Sequence, residues 1–330
     1  MLMRFRGLPV ATQIVFLSAL LCSAIFFGFT CFVSWSSDRA ALRQAEGDLR
    51  NQLKVIEAAL DFAYNTALAH SERDMQSFHA LLKQPVTADG TLTRTGDNPN
   101  VPTLKLGNEV LNGNTRVLEE VRRSFGTEPA FLVIRDGKVV RASTLLKDSE
   151  GRSMMGTALA ADDPVAVAVL KGERYAGIAI RFGKMYMMRT DPIRDDAGHP
   201  IGAASLRVDL ASEIGGIKEA LKKIAVGKTG YVFAYTPTND DKIATFMLHP
   251  TLEGTTLGEM YKDSPENRER ALGIIRNHGG VSLYDFADKN DNGRVKRKIA
   301  VYEYMPNLKW MVGTGSFVEE FEAAYERHAT

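Results

Sequence analysis

The 83 residues from Gly126 to Val208 constrain this chain most, because they alternate apolar and polar positions with period two on either side of tight-turn signals. The run AFLVIRDGKVVRAST is followed by a GT turn, an Ala-rich helical piece, and YAGIAIRFGKMYMMRTDPIRDDAGHPIGAASLRVDL. Asp136-Gly137 and Asp195-Asp196-Ala197-Gly198 sit between the apolar runs, where glycine lets antiparallel strands reverse. The reading is a hairpin, a helix and a three-strand meander.

The same order then returns. GYVFAYT and KIATFMLHP make a strand pair, a helical piece follows, and VSLYDFADKNDNG, RVKRKIAVYEYMP and LKWMVGTGSF complete a second meander. Each meander runs into a helix, one beginning near Asp209 and the other near Phe317. Two divergent copies of one α+β unit explain the pattern economically, and 330 residues exceed the usual size of a single core. The expected boundaries are an N-terminal segment over 1–35, a long helix over 36–84, a first module over 85–208 and a second over 209–330. Within the first module, residues 85–103, with Pro85, Gly90, Gly96, Pro99 and Pro102, read as a loop.

Residues 7–37 contain no charged side chain, and Ile14–Val33 are almost wholly apolar, enough to span a bilayer as a helix. Arg4 and Arg6 precede the run and Asp38 follows it, which puts the N-terminus inside and everything beyond Trp35 outside. The run is longer than a signal-peptide core, so the expectation is a single-pass anchor in the inner membrane with the remainder in the periplasm. Both cysteines, Cys22 and Cys31, fall within the run, so the remainder of the chain has no disulfide or cysteine-metal framework.

From Ser36 to about Gln84 there is no proline, and Leu49, Leu53, Ile56, Leu60, Ala63 and Ala67 draw one apolar stripe at helical spacing. At 1.5 Å per residue this makes a rod of roughly 70 Å. Its distal half is expected to pack on its own module. The proximal half has no obvious partner in the chain, which points to parallel pairing with a second copy, a homodimer.

Sequence motifs argue against an enzyme. In GKTG, Gly227–Gly230, the first glycine of a phosphate loop would stand at position 222, which is Lys222. DKNDNG begins like a calcium loop at Asp288, but its twelfth position is Ile299. GTGSFV at Gly313 lacks the third glycine of a dinucleotide fingerprint, so no cofactor is expected. The six histidines are scattered without zinc-ligand spacing, and no nucleophile elbow is present. Net charge is +1, and beyond Arg4 and Arg6 there are 39 basic against 40 acidic residues, which gives no nucleic-acid footprint.

Binding remains. Lys184, Tyr186, Met188 and Thr190 share one face of their strand. On the facing hairpin Arg141 and Ser143 alternate with Val140 and Ala142, and a cation among strand apolars wants an anionic partner. That partner is either a ligand or an internal carboxylate such as Asp136 or Asp191. Arg152, Thr157 and Tyr175 lie in the connection that would close over such a site. In the second module Tyr231, Phe233 and Tyr235 alternate on one face, with Tyr302, Tyr304 and Trp310 further on, and core packing is the default for them. His249 before Pro250 is the polar group to watch there.

The succession FLVIRDGKVVRAST, GRSMMGTAL, YAGIAIRFGKMY, DPIRDDAGHPIGAASLRVD, VGKTGYVFAY, MLHP and LKWMVGTG resembles the extracytoplasmic sensory region of bacterial chemoreceptors, specifically Cache domains of the fused Cache-three and Cache-two type. The likeness covers nearly everything after residue 36. It implies two PAS-like antiparallel sheets along a long N-terminal helix, a small-molecule pocket in the membrane-distal module, and a homodimer. Related carboxylate sensors place a basic pair four and two residues before the proline of the last strand turn; here those positions are Met188 and Thr190, so that anion motif does not carry over. Such receptors continue into a second membrane helix, whereas Phe317 to about His328 is short and charged. The output module is therefore expected outside this sequence, which is either part of a receptor or a sensor working through a separate signalling partner.

The sequence thus reads as a membrane-anchored periplasmic sensor of a small polar, anionic ligand, with Arg141, Ser143, Arg152, Tyr175, Lys184 and Tyr186 as candidate contacts. The contrasting reading is a tethered adaptor whose pockets are filled core.

Overall fold

The computed structural model describes residues 10–182, 184–288 and 291–321. It is an α+β architecture built on antiparallel sheets, divided into two compact units. One comprises Ile56–Leu221 with Met305–Trp310, called here the first unit; the other, the second unit, holds residues up to Val55, Lys222–Tyr304 and the chain from Met311.

Helix α1 (Val10–Leu82) runs without interruption through the expected rod. The stripe read from the sequence is covered by the chain itself: Leu49, Leu53, Ile56, Leu60, Ala63 and Ala67 are all buried, and so are Ala41 and Ala45 nearer the N-terminus. This corrects the expectation that the proximal half lacks a partner within the chain. Other large side chains on α1 stay exposed, Val55 and Phe62 among them. Among the described residues no helix is long and apolar enough to cross a membrane, and the expected span over 14–33 falls partly on side chains outside that description. The expected terminal helix is described only as far as residue 321, and the turn around residues 289–290 also lies outside.

In the first unit, β1 (Val86–Thr95), β2 (Asn98–Leu106) and β3 (Glu109–Val110) form a small sheet of their own where a loop was expected. The ladder tolerates the prolines by slipping register, between the pairs Ala88–Leu104 and Leu92–Pro102 and again between Thr93–Val101 and Thr95–Asn98. After α2 (Arg116–Phe125) come β4 (Glu128–Arg135), β5 (Lys138–Thr144), α3 (Pro164–Lys171), β6 (Tyr175–Arg181), β7 (Lys184–Arg194) and β8 (Pro200–Asp209). These five strands make one antiparallel sheet in the order β5-β4-β8-β7-β6.

Both faces of this sheet are buried, and strand parity divides them. Phe131, Val133, Val140, Ala142, Ala204 and Leu206 pack with Met75, Phe78 and Leu82 of α1 and with Val117, Leu118 and Val121 of α2. Leu132, Val139, Ala179, Met188 and Ala203 pack instead with Val165, Ala166 and Val169 of α3. On the α1 side Asp191 lies 3.0 Å from His79 and 3.3 Å from Arg189, and Arg189 lies 3.0 Å from Glu72. Burial pushes the Asp191 carboxyl up, but His79, Arg189 and Arg174 together outweigh it and hold it below the usual carboxylate range.

Helix α4 (Leu210–Lys222) follows β8. The second unit contains β9 (Tyr231–Pro237), β10 (Ala244–Leu248), α5 (Leu257–Met260), α6 (Pro265–Arg276), β11 (Gly279–Asp288), β12 (Arg294–Met305) and β13 (Trp310–Phe317), in the sheet order β10-β9-β13-β12-β11. Phe233, Tyr235, Phe246, Tyr302 and Met311 form its core with Leu257 and Ala271 from the helices. The glycines of the G-T-G run allow close packing: a Cβ on Gly313 would lie 2.6 Å from the Phe233 ring, and one on Gly315 would lie 2.5 Å from the Ile299 carbonyl oxygen.

Two glycines therefore separate packing from backbone effects. Gly313→Ala is expected to lower the unfolding free energy by about 1–3 kcal/mol through overpacking, whereas Gly273→Ala in α6, where a Cβ meets nothing within 4 Å, should raise it by about 0.5–1 kcal/mol; urea denaturation measures both. Because the Asp191 pKa is depressed, the stability it contributes is present above the unfolded-state value of about 3.9 and fades as pH falls through the folded-state value. The gap in urea midpoint between the natural chain and Asp191→Asn should accordingly close on acidification.

Candidate functional site

On the α3 side of the first unit the sheet encloses a cavity of about 30 Å³, lined by Arg141, Arg181, Arg207, Thr144, Ser205, Met188 and apolar neighbours. Cross-strand register brings these together from distant positions: Leu132 pairs with Arg141 and Ala203, Ala130 with Thr144 and Ser205, and Arg207 with Met188 and Glu128.

Two of the three arginines are neutralised. Arg181 pairs with Asp163 at 2.8 Å with both side chains nearly buried, and Asp163 also caps α3 by accepting from the Val165 amide at 2.9 Å. The Arg207 guanidinium donates to Glu128 at 2.5 Å and lies over the Tyr186 ring, 5.6 Å from its centroid. Arg141 is different. Its guanidinium donates to the Thr157 hydroxyl at 2.8 Å and to the Ala158 carbonyl at 3.3 Å, and among the described residues no carboxylate forms an ion pair with it. Of the internal partners considered from the sequence, Asp136 pairs with Arg135 in the turn, and Asp191 belongs to the α1 side. Burial, with repulsion from Arg181 and Arg207, outweighs the attraction of Asp163 and pushes the Arg141 guanidinium down to about 10. Three cations against two carboxylates leave one more positive than negative charge around the cavity.

The segment from Leu145 to Asp163 closes the site. It runs along the open edge of β5, with the Arg141 amide donating to the Thr157 carbonyl at 3.0 Å and the Gly156 amide to the Arg141 carbonyl at 2.8 Å. It adds Leu146 and Leu159 to the cavity wall. Gly156 sits at φ +75°, where a Cβ would lie 2.0 Å from the Thr95 carbonyl oxygen, so the turn fits tightly against β1.

The residues singled out from the sequence fall in different places. Arg141 lines the cavity, Tyr186 contacts its Arg207, and Tyr175 shares that sheet face, with its hydroxyl donating to the Ile178 carbonyl at 2.8 Å. Ser143 does not share the face of Arg141. Register shifts between Phe131 and Leu132, so Ser143 pairs with Phe131 of the α1-side core and donates to the Asn114 carbonyl at 2.5 Å, and Thr144 takes the cavity position. Arg152 is exposed and paired with Asp148 at 2.7 Å, and Lys184 is exposed at the β6–β7 hairpin end. Arg181, Arg207 and Ser205 were not singled out. Arg207 offered the same signal as Arg141, a cation in an apolar period-two strand; Arg181 stood next to a turn and offered none.

In the second unit Tyr231, Phe233, Tyr235, Phe246, Tyr284 and Tyr302 enclose about 50 Å³. Their rings meet edge to face, as in Phe233–Tyr302 at 5.4 Å and Tyr235–Phe246 at 5.9 Å. His249 is buried at its strand end and accepts from the Thr251 and Leu252 amides through Nδ1. Among the described residues no cluster of side chains has metal-ligand character.

The model of the Cache 3/Cache 2 fusion domain matches residues 34–330. The chain belongs to that family. Cache domains are extracytoplasmic, ligand-binding sensor domains of membrane receptors, and they are not catalytic. No curated protein matches. Among solved structures, the sensory domain of the Campylobacter jejuni chemoreceptor Tlp3 is similar at 11% identity, covering 86% of this chain and 98% of that one, with a TM-score of 0.41. The same domain in complex with L-valine aligns at 10% identity over 86% and 97%, with a TM-score of 0.40. The extracellular domain of the putative histidine kinase mmHK1S-Z3 is 16% identical over 88% of this chain and 97% of that one, with a TM-score of 0.40.

Asp163 both caps α3 and neutralises Arg181, so the two roles separate by substitution. Asp163→Ala, which leaves a buried guanidinium unpaired, is expected to cost about 3–5 kcal/mol of stability. Asp163→Asn keeps a capping acceptor and should recover about 1 kcal/mol of that loss, as read by urea denaturation.

Proposed function

We propose that this Cache 3/Cache 2 chain is a membrane-anchored extracytoplasmic sensor whose first unit binds a small polar anion, with Arg141 as the principal contact. The observation that carries the reading is the buried Arg141 guanidinium without an ion-pair partner in the cavity. A buried charge without a counter-ion is costly, and an anion that supplies the missing charge is bound for that reason. The cavity of about 30 Å³ has room for about two waters, so ligand entry requires the segment from Leu145 to Asp163 to move away from β5. Ligand and closed segment then favour one another, and binding shifts the population of the closed form. Tyr175 and Tyr186 sit on the ligand face in this scheme, while Ser143, Arg152 and Lys184 have no direct part.

The anchor is supported by the uncharged stretch over 7–37, by Arg4 and Arg6 before it, and by the apolar side chains Leu20, Leu21, Ile25, Phe26, Phe27, Phe29 and Phe32, all exposed on α1. Such a surface suits hydrocarbon, and the charge order supports a periplasmic location for the two units. Homodimerisation would use the exposed side of α1 around Val55 and Phe62, since the inner stripe is occupied. The signal would pass through α1 to an output module or to a separate signalling partner.

The test is a thermal-shift screen of the full chain in detergent against organic acids, amino acids, purines and polyamines, repeated on Arg141→Met. An anionic compound is expected to raise Tm, since ligand at one hundred times Kd adds about 2.7 kcal/mol. Arg141→Met should weaken that compound about 10- to 150-fold, the loss of a charge-assisted hydrogen bond, without lowering the Tm of the ligand-free protein. Indifference of the folded protein to the whole panel would favour the tethered adaptor instead.

A further inference from the structure

The end of α1 meets the sheet of the first unit through charge as well as through apolar packing. Glu72 and His79 stand two helical turns apart on one side of α1, and Arg189 and Asp191 share one face of β7. His79 Nε2 lies 3.0 Å from Asp191 Oδ2, and Arg189 Nη2 serves both carboxylates, at 3.0 Å from Glu72 and 3.3 Å from Asp191. Arg189 and Asp191 are buried, whereas the His79 side chain is 46% exposed and open to solvent protons. Two carboxylates thus share one buried guanidinium. Arg174 lies 3.6 Å from Asp191 but is 69% exposed, so water screens it. The pairing is incomplete: among the described residues neither Arg189 Nε nor Asp191 Oδ1 has a hydrogen-bond partner. On β1, which neighbours β7, Asp89 pairs with Lys105 and Arg94 donates to the Gly96 carbonyl, so neither serves this cluster.

We infer that the His79–Asp191 contact is a pH-responsive clasp, which fastens the C-terminal end of α1 to β7 as the surroundings turn acidic. An ionised carboxylate only accepts hydrogen bonds, so the neutral imidazole donates through Nε2, and Nδ1 is the position that takes a proton from solvent. Asp191 stays ionised through the neutral and mildly acidic range, because its carboxyl is held below the usual value. Protonation of the imidazole turns a hydrogen bond into an ion pair and, Arg174 aside, brings the cluster to two charges of each sign. The last turn of α1, which holds His79, favours the same change, because its unpaired carbonyls attract positive charge. Imidazoles gain their proton between about pH 8 and 5, and the clasp tightens in that window. In the proposed sensor α1 carries the signal, so acidity acts on the same helix as the ligand, from the opposite face of the sheet.

The experiment uses the full chain in detergent without ligand, so its outcome is independent of the arginine cavity. Hydrogen exchange of the last two turns of α1 is followed at about pH 8 and about pH 5.5, corrected for the intrinsic pH dependence of amide exchange, with the β9–β13 ladder as internal reference. Protection of those turns is expected to rise about three- to fivefold on acidification, the scale of a half-exposed ion pair, and to stay level in His79→Gln and in Asp191→Asn. Urea denaturation gives a second readout: the unfolding constant of His79→Gln relative to that of the natural chain should grow by the same factor over this pH range, and the growth should vanish when Asp191→Asn is also present. The exchange change must appear in the natural chain alone, so a variant that fails to fold leaves the test decisive. Protection indifferent to pH in the natural chain would overturn the inference. So would an equal rise in the β9–β13 reference, or an undiminished response in Asp191→Asn.

Discussion

A five-stranded antiparallel sheet buried on both faces must sort its side chains by parity, and the chemistry of the first unit follows from that sorting. Even a single cation in such a strand is delivered to one covered face or the other. Phe131, Val133 and Leu206 go to the side of α1, Leu132, Ala203 and Met188 to the side of α3. Arg141 and Arg207 follow the second set, and Arg181 joins them from the end of β6. Once there, each guanidinium needs a counter-charge. Asp163 and Glu128 supply two, and the cavity is left one anion short.

The proposed sensing role rests on that shortfall. A filled apolar core would be indifferent to solutes, while a cavity holding one net charge discriminates by sign before it discriminates by shape. The segment that closes it is held to β5 by backbone hydrogen bonds and to Arg141 by the Thr157 hydroxyl. In the proposed reading the residue that meets the ligand also fastens the cover, which would couple occupancy of the cavity to the position of the segment.

Much of this was legible in the sequence, for identifiable reasons. The hairpins were readable because glycine-bearing turns such as Asp136-Gly137 and Asn292-Gly293 punctuate period-two runs, and the stripe on α1 because its spacing is helical over many turns. The β1–β2 hairpin was hidden by Pro99 and Pro102, which mark loops in general; here two register slips accommodate them. The bulge in β5 was hidden too, since nothing local announces that Ser143 and Thr144 exchange faces. The charge balance of the cavity could not be read at all, because Glu128, Asp163, Arg181 and Arg207 meet only through strand pairing and the N-cap of α3.

The central claim, that Arg141 carries an uncompensated charge open to an anion, is tested most directly by anomalous diffraction from crystals of the protein soaked in bromide. A bromide small enough for the cavity is predicted beside the Arg141 guanidinium, between Arg181 and Arg207. Bromide confined to exposed lysines and arginines, with the arginine cavity empty or dry, would contradict the account.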